Sequence, residues 1–207
     1  MELLIIRHAL PVRRELEQGI ADPELSGAGV EQAQRLADYL ASEAIDALYS
    51  SPLRRARETA APIAAATGLD TVIVDDVAEW DRTSSEYVPI EELKASNDPR
   101  WRAMVAGEFD MQDETPESFR TRVVRAIDEI IDRHPGGRVA VTCHGGVVNA
   151  YLAHVLGLPV STGFFYPNYT SIHRIAASRS GHRSIMTVNE TAHLRHSGLP
   201  IGILQQG

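Results

Sequence analysis

The chain has 207 residues, of which 20 are basic and 28 acidic, and its formal net charge is −8. Its 43% hydrophobic and 23% charged residues are typical of a globular protein and exclude intrinsic disorder. The acidic balance argues against a non-specific nucleic-acid binder, because affinity for the phosphate backbone needs a dense basic surface. It leaves room for a pocket that binds one small phosphate group.

Short apolar strands alternate with helical patterns along the chain. The first half is predicted to contain a strand at residues 3–6, a helix at 26–42 with Ser26 as its N-cap, a strand at 45–49, an alanine-rich helix that ends at Thr67 before Gly68, and a strand at 71–74. The second half is predicted to contain a helix from Thr115-Pro116 to 134–137, a strand at 139–142, an apolar helix after residue 146, and strands at 170–177 and 183–189. This alternation predicts an α/β fold, a three-layer sandwich with a largely parallel central sheet flanked by helices.

The acidic residues are concentrated in one stretch of the chain. Residues 75–117 hold 13 acidic and 4 basic side chains, a net charge of −9. We interpret this stretch as an irregular acidic insertion, with short helical pieces, in a single domain that spans residues 1–207. An aromatic residue of the insertion, such as Trp80, Tyr87 or Trp101, could cover a site and select substrates.

The expected compartment is the cytoplasm. Cys143 is the only cysteine, so no disulfide forms within the chain and a reducing environment is expected. The first residues lack the basic flank and the apolar length of a signal peptide. No apolar run reaches the length of a membrane span, so no membrane partner is expected.

Distinctive polar residues follow four of the predicted strands. Arg7-His8 follow the first strand and residues 50–57 the second, Glu79 and Asp81 come shortly after the third, and His144-Gly145-Gly146 follow the fourth. The carboxyl ends of parallel strands meet at one edge of a sheet, where open α/β sheets bind ligands. These segments are therefore expected to converge.

The converging side chains suit the transfer of a phosphoryl group. Arginine offers forked donors for phosphate oxygens, and a neutral histidine is a competent nucleophile at phosphorus. A nearby carboxylic acid with a raised pKa can protonate the leaving alkoxide. Backbone N–H groups at the start of the helix after His144 are also expected to point at the anion.

Four segments of the sequence, in order, resemble the motifs of one family. These segments are Leu4-Ile5-Ile6-Arg7-His8-Ala9, residues 25–33 (LSGAGVEQA), residues 50–60 (SSPLRRARETA) and Val141-Thr142-Cys143-His144-Gly145-Gly146. They resemble the histidine phosphatase superfamily, the phosphoglycerate-mutase-like proteins. The resemblance extends over nearly the whole chain and implies a phosphoglycerate-mutase-like fold.

The resemblance also implies an activity and the residues that perform it. The implied activity is that of a metal-independent histidine phosphatase, similar to acid phosphatases, which hydrolyses phosphomonoesters through a phosphohistidine and needs no cofactor. His8 would be the nucleophile and Glu79 the proton donor. His144 would take part in catalysis and, with Arg7 and Arg55, bind the phosphoryl oxygens.

Several positions leave alternatives open. Ala9 stands where the family has Gly. The stretch after Glu79 departs from the family pattern, so the proton donor is one of Glu79, Asp81 and Glu86. Arg13 and Arg14 either contact the substrate at the mouth of the site or are surface charges.

The function also has alternatives. The residues that follow the nucleophile in phosphoglycerate mutases are missing after His8, which favours a phosphatase over a phosphoglycerate-type phosphomutase. A non-catalytic module that binds a phosphorylated ligand is a further alternative. The expected partner is a small phosphorylated substrate, and the two C-terminal strands could pair in a homodimer. The identity of the substrate stays open.

Overall fold

The computed structural model describes residues 1–106, 113–159 and 163–203. Its strands are β1 (Glu2–Arg7), β2 (Arg14–Glu15), β3 (Ala47–Ser50), β4 (Thr71–Ile73), β5 (Glu86–Tyr87), β6 (Arg138–Cys143), β7 (Ile172–Ala177) and β8 (Arg183–Glu190). Its α-helices are α1 (Gly27–Leu40), α2 (Arg54–Thr67), α3 (Ile90–Ala95), α4 (Pro99–Ala106), α5 (Pro116–Arg133) and α6 (Gly145–Val155), with 3-10 turns at Asp75–Val77 and Ala192–Leu194.

The main sheet has six strands in the order β4-β3-β6-β1-β7-β8. Strands β4, β3, β6 and β1 are parallel to one another, whereas β7 is antiparallel to β1 and β8 is antiparallel to β7. The predicted largely parallel α/β sheet is confirmed, and the antiparallel hairpin at one side makes the sheet mixed.

The apolar run of β1 explains the three layers. Successive side chains of a strand point to opposite faces, and all four apolar residues here are fully buried. Leu3 and Ile5 pack in the core cluster that contains α5 and α6, whereas Leu4 and Ile6 pack in the cluster that contains α1 and α2. A strand covered by helices on both faces therefore reads as a continuous apolar run rather than as an alternating one.

Local capping interactions define the predicted helix ends. The Ser26 hydroxyl accepts a hydrogen bond from the backbone N–H of Gly29 at the start of α1. Thr115 and Ser118 form a reciprocal capping box at the start of α5. Helix α2 ends at Gly68, whose φ of 73° is the left-handed conformation that glycine adopts without strain.

The described part of the acidic insertion contains short elements. It holds β5, α3, α4 and the first 3-10 turn, and β5 pairs with β2 in a separate two-stranded sheet in which Tyr87 lies opposite Arg14. Two-residue strands have no periodicity for a sequence to reveal. The parts of the predicted domain at residues 107–112, 160–162 and 204–207 lie outside the described residues, and the single-domain assignment stays a prediction.

Within residues 1–106, 113–159 and 163–203, no helix is both long and apolar enough to cross a membrane.

Gly29 is expected to be irreplaceable for a steric reason. A Cβ at this position would lie 2.0 Å from the backbone oxygen of Leu10, so Gly29→Ala is expected to lower the free energy of unfolding by about 1–3 kcal/mol. Gly27→Ala is the matched control in the same helix, because a Cβ there meets open space. Urea unfolding of both variants checks the prediction, and equal stabilities would contradict it.

Candidate active site

The carboxyl ends of β1, β3 and β6 bring the predicted site residues together. His8 follows β1 and His144 follows β6, and the centres of their two rings are 5.1 Å apart. Both rings are buried, as are Arg55 and Glu79. The backbone N–H of His8 donates to the carbonyl of Cys143, so the pairing of β1 with β6 continues into the site.

The hydrogen bonds of His8 leave one ring nitrogen for chemistry. Its Nδ1 lies 2.8 Å from the carbonyl oxygen of Ala9, and because a carbonyl only accepts, Nδ1 carries the proton. In the neutral ring, Nε2 then holds the lone pair. Burial, followed by the charges of Arg55 and Arg7, holds the pKa of His8 well below its usual range. The imidazole is therefore neutral, as a nucleophile must be.

Ala9 is accommodated where the family has Gly. Its side chain is fully buried in a small apolar cluster with Leu25 and Ala33. Its backbone N–H donates to the Thr59 hydroxyl at 2.9 Å. The segment that carries His8 is thus fixed to α2 by a hydrogen bond and to α1 by packing.

Two guanidinium groups, those of Arg7 and Arg55, lie near the His8 and His144 rings. The Cζ of Arg7 lies 4.1 Å from the centre of the Tyr169 ring, and the Cζ of Arg55 lies 4.7 Å from that of Tyr87. Arg55 is 1% exposed and pairs with Asp81 at 2.7 Å. Such contacts with aromatic faces and a carboxylate offset part of the cost of burying the charges.

Three buried nitrogens of this cluster have no hydrogen-bond partner within the described residues: Arg7 Nε, Arg55 Nε and His144 Nδ1. Buried donors without acceptors are costly, and native structures rarely leave them so. An anion with several oxygens would satisfy them together. We call Arg7, Arg55 and His144, as the predicted binding groups for such an anion, the phosphate cradle.

Ser51 fixes the orientation of His144. The Ser51 hydroxyl lies 2.7 Å from His144 Nε2, so that nitrogen is occupied while Nδ1 is not. Burial, then Arg55, His8 and Arg7, lower the pKa of His144 well below its usual range. Ser51 lies in one of the matching segments, but the sequence does not reveal this contact.

The geometry distinguishes the three candidate proton donors. Glu79 is buried, and burial together with the negative charge of Asp81 raises its pKa to about 7. Asp81 is held in its ion pair with Arg55, and Glu86 is half-exposed and pairs with Arg100 at 2.7 Å. A proton donor must hold a proton near neutral pH. The geometry therefore favours Glu79.

The expectation that backbone N–H groups at the start of α6 point at a bound anion is wrong for Gly146. The backbone N–H of Gly146 does not point at an anion in the phosphate cradle but donates to Glu79 Oε2 at 2.8 Å. The positive end of the helix thus holds the proposed acid instead.

Arg13 and Arg14 lie outside the phosphate cradle. Arg13 is exposed and pairs with Glu15 and Glu92, and Arg14 pairs with Glu24 at 2.7 Å. Arg14 does lie opposite Tyr87 in the small sheet. Their contact with a substrate stays a prediction.

The role of Tyr169 was missed by sequence reasoning. It precedes β7, and because β7 runs antiparallel to β1, the amino end of β7 lies at the edge where β1 ends. The rule that ligands meet carboxyl strand ends gives no signal for it. Tyr87, by contrast, belongs to the aromatic residues expected as a possible cover, and its ring centre lies 6.5 Å from that of His8.

The described ranges hold no set of side chains suited to bind a metal ion, since no group of three or more His, Cys, Asp or Glu side chains in them could hold one. Cys143 is fully buried, and burial raises the pKa of its thiol, which fits a packing role.

Comparison with known proteins decides the family. The model of the histidine phosphatase superfamily (branch 1) matches residues 3–191. The chain belongs to this superfamily. Phosphoserine phosphatase 1 of Hydrogenobacter thermophilus is 29% identical to it over 201 residues, 94% of each chain. The metal-independent phosphoserine phosphatase of Arabidopsis thaliana is 29% identical over 157 residues, 72% of this chain and 66% of the relative.

A solved structure agrees with the fold. The mycobacterial glucosyl-3-phosphoglycerate phosphatase superposes with a TM-score of 0.74 at 23% identity, and the match covers 92% of this chain and 99% of the other. The predicted family and the phosphoglycerate-mutase-like α/β fold are confirmed.

Gly146 is expected to be essential because of the acid it contacts. A Cβ there would lie 2.2 Å from Glu79 Oε1, so Gly146→Ala is expected to displace the carboxyl group and lower kcat by roughly 10²-fold or more. In the adjacent Gly145→Ala control, the nearest atom to the new Cβ is Arg7 Nε at an ordinary 3.8 Å.

Steady-state kinetics and thermal unfolding of both variants check this prediction. The expected result is a selective loss of activity in Gly146→Ala with little change in Tm. Equal activities in the two variants would contradict it.

Proposed function

We propose that this member of the histidine phosphatase superfamily hydrolyses small phosphomonoesters through a phosphohistidine on His8. The observation that carries the proposal is the phosphate cradle itself. A buried neutral imidazole stands beside two guanidinium groups with unsatisfied donors and near a buried carboxyl group whose pKa is raised to about 7.

In the first step, the phosphate cradle binds the non-bridging oxygens of the ester. Nε2 of His8 attacks phosphorus in line with the leaving group, so an N–P bond forms as the P–O bond breaks. The neutral, protonated Glu79 gives its proton to the leaving alkoxide. The products of this step are an alcohol, a phosphohistidine and the Glu79 carboxylate.

In the second step, the Glu79 carboxylate takes a proton from a water molecule as that water attacks phosphorus. The N–P bond breaks, inorganic phosphate leaves, and His8 returns to its neutral state. A carboxyl group with a pKa of about 7 is suited to both roles, since it is protonated and deprotonated in comparable amounts near neutral pH.

The charge of the phosphate cradle supplies the rest of the catalysis in this scheme. Phosphoryl transfer needs positioning and neutralisation of charge on the equatorial oxygens. Arg7, Arg55 and His144 are already oriented by Tyr169, Asp81 and Ser51, so little reorganisation accompanies the reaction.

Metal independence forms part of the proposal, because the two guanidinium groups take the charge-neutralising role that a metal would have. The similar phosphatase from Arabidopsis is named as metal-independent. Activity that is insensitive to chelators is the expected result. A cytoplasmic location and a homodimer stay predictions from the sequence.

His8→Ala is expected to lower turnover of an aryl phosphate by at least about 10³-fold, because no other nucleophile takes its place. His182→Ala, on the exposed turn between β7 and β8, is the matched control. Acid quenching with radiolabelled substrate should trap an acid-labile phosphoenzyme in the parent protein and none in His8→Ala.

Other outcomes would select the alternatives. Undiminished turnover in His8→Ala would overturn the proposed mechanism. Transfer of the label to a phosphoglycerate rather than to water would favour the phosphomutase, and stoichiometric phosphate binding without turnover would favour the non-catalytic module.

The pH dependence should report Glu79. Because its pKa is raised to about 7, the protonated donor is lost above that pH, and kcat/KM for an alkyl phosphate should fall about tenfold per pH unit there. An aryl phosphate with a good leaving group needs no acid and should show a shallower fall. Glu79→Gln should lower the alkyl rate by about 10²- to 10⁴-fold and remove this limb of the profile. Identical profiles for both substrates would contradict the assignment.

A further inference from the structure

Glu91 is a carboxylate that the proposed mechanism does not use. It lies on α3 in the acidic insertion, and its Oε2 accepts a hydrogen bond of 2.8 Å from the hydroxyl of Tyr169. Its other oxygen, Oε1, is buried and has no hydrogen-bond donor within the described residues. One half of the carboxylate is thus held in place, and the other half is unsatisfied.

This carboxylate lies next to the phosphate cradle. The ring that connects them is Tyr169, whose face contacts the Arg7 guanidinium at 4.1 Å and whose centre is 6.0 Å from that of the His8 ring. Arg7 and Glu91 therefore contact the same tyrosine, one at the ring face and the other at the hydroxyl. A substrate whose phosphate binds in the cradle can therefore reach Glu91 if the rest of the substrate runs along the Tyr169 ring.

Nearby cations on the insertion already have partners. Lys94 donates to the backbone oxygen of Ile203, and Arg100 pairs with Glu86 and with Asp98. The adjacent Glu92 differs from Glu91, because it is half-exposed and pairs with Arg13. Glu91 is thus the carboxylate of this pair that turns inward with an unsatisfied oxygen.

A buried carboxylate oxygen without a donor is unfavourable, and the cost falls when a charged donor reaches it. An ammonium group brings a positive charge and three donors. A neutral hydroxyl also donates to a carboxylate, but it carries no charge, so only the ammonium adds ion-pair attraction to the hydrogen bond. Positive charge is therefore the best complement for Oε1.

We propose that Glu91 forms a subsite for the protonated amine of the substrate, so that the preferred substrates are phosphomonoesters with an amine a few bonds from the phosphate. The phosphate end of this assignment rests on the proposed function. Glu91 contributes specificity and takes no part in the transfer of the phosphoryl group.

A structural role is the competing explanation. Glu91 could serve only to orient Tyr169, and thereby Arg7, through the hydroxyl contact. Tyr169→Phe separates the two roles, because it removes that hydrogen bond and leaves the charge of Glu91 intact. Glu92→Gln is the matched control for loss of one carboxylate on the same short helix.

The test measures binding rather than turnover. Calorimetric titration of the His8→Ala protein compares O-phosphoethanolamine with n-propyl phosphate, which has a methyl group where the first has an ammonium. The amine is expected to bind roughly 10- to 100-fold more tightly. Adding Glu91→Gln should bring the ratio of the two dissociation constants to about one, whereas Glu92→Gln and Tyr169→Phe should preserve it.

Three results would overturn the subsite: equal affinities in the His8→Ala parent, which includes binding of neither ligand, an unchanged ratio in Glu91→Gln, or a ratio abolished equally by Tyr169→Phe. Failure of the proposed function is a separate result. It would appear as no hydrolysis of either ester by the unsubstituted protein while the binding ratio persists.

Discussion

The guanidinium groups of Arg7 and Arg55 lie at the edge of the sheet where the parallel strands end, and each has a buried Nε without a partner among the described residues. Among the same residues, Asp81 is the carboxylate that pairs with Arg55. Positive charges in such a place repel one another and lose their hydration. Aromatic contacts and one ion pair offset part of this cost. A dianionic phosphate would relieve what remains, which is why the arrangement indicates a phosphate site.

The same charges determine the state of the titratable groups around them. Both imidazoles are kept neutral by burial and by the arginines, so His8 retains the lone pair that a nucleophile needs. Two carboxyl groups, Glu79 and Asp81, lie close together in different surroundings. Asp81 forms an ion pair with Arg55. Glu79 is buried, accepts a hydrogen bond from the backbone N–H of Gly146 and has a raised pKa. Their surroundings, rather than the carboxyl chemistry they share, distinguish the two groups.

The site divides between two parts of the chain. The strand ends supply the groups proposed to bind and attack phosphorus, and these come from β1, β3 with α2, and β6. The insertion and the segment before β7 supply Tyr87, Tyr169 and Glu91, which border the proposed path of the rest of the substrate. In this proposal, phosphoryl chemistry and substrate choice reside in different segments of the chain.

The sequence by itself determined the layered α/β fold and predicted the residues of the proposed phosphate site. The four-residue apolar run of β1, the capping residues Ser26 and Thr115, and the polar residues after each parallel strand are local signals, and each was sufficient to place an element or a strand end. Parallel strands share a direction, so Arg7, His8 and His144 had to meet at one edge.

Only the tertiary structure supplied the contacts that favour particular groups for the rest of the proposed site. The proposal of Glu79, rather than Asp81 or Glu86, as the proton donor depends on burial and on the partner of each carboxylate, and the local sequence determines neither. Tyr169 reaches the site because β7 runs antiparallel to β1, and the inward turn of Glu91 beside the outward Glu92 follows from how α3 packs. These are long-range contacts, and the chain must fold before any of them exists.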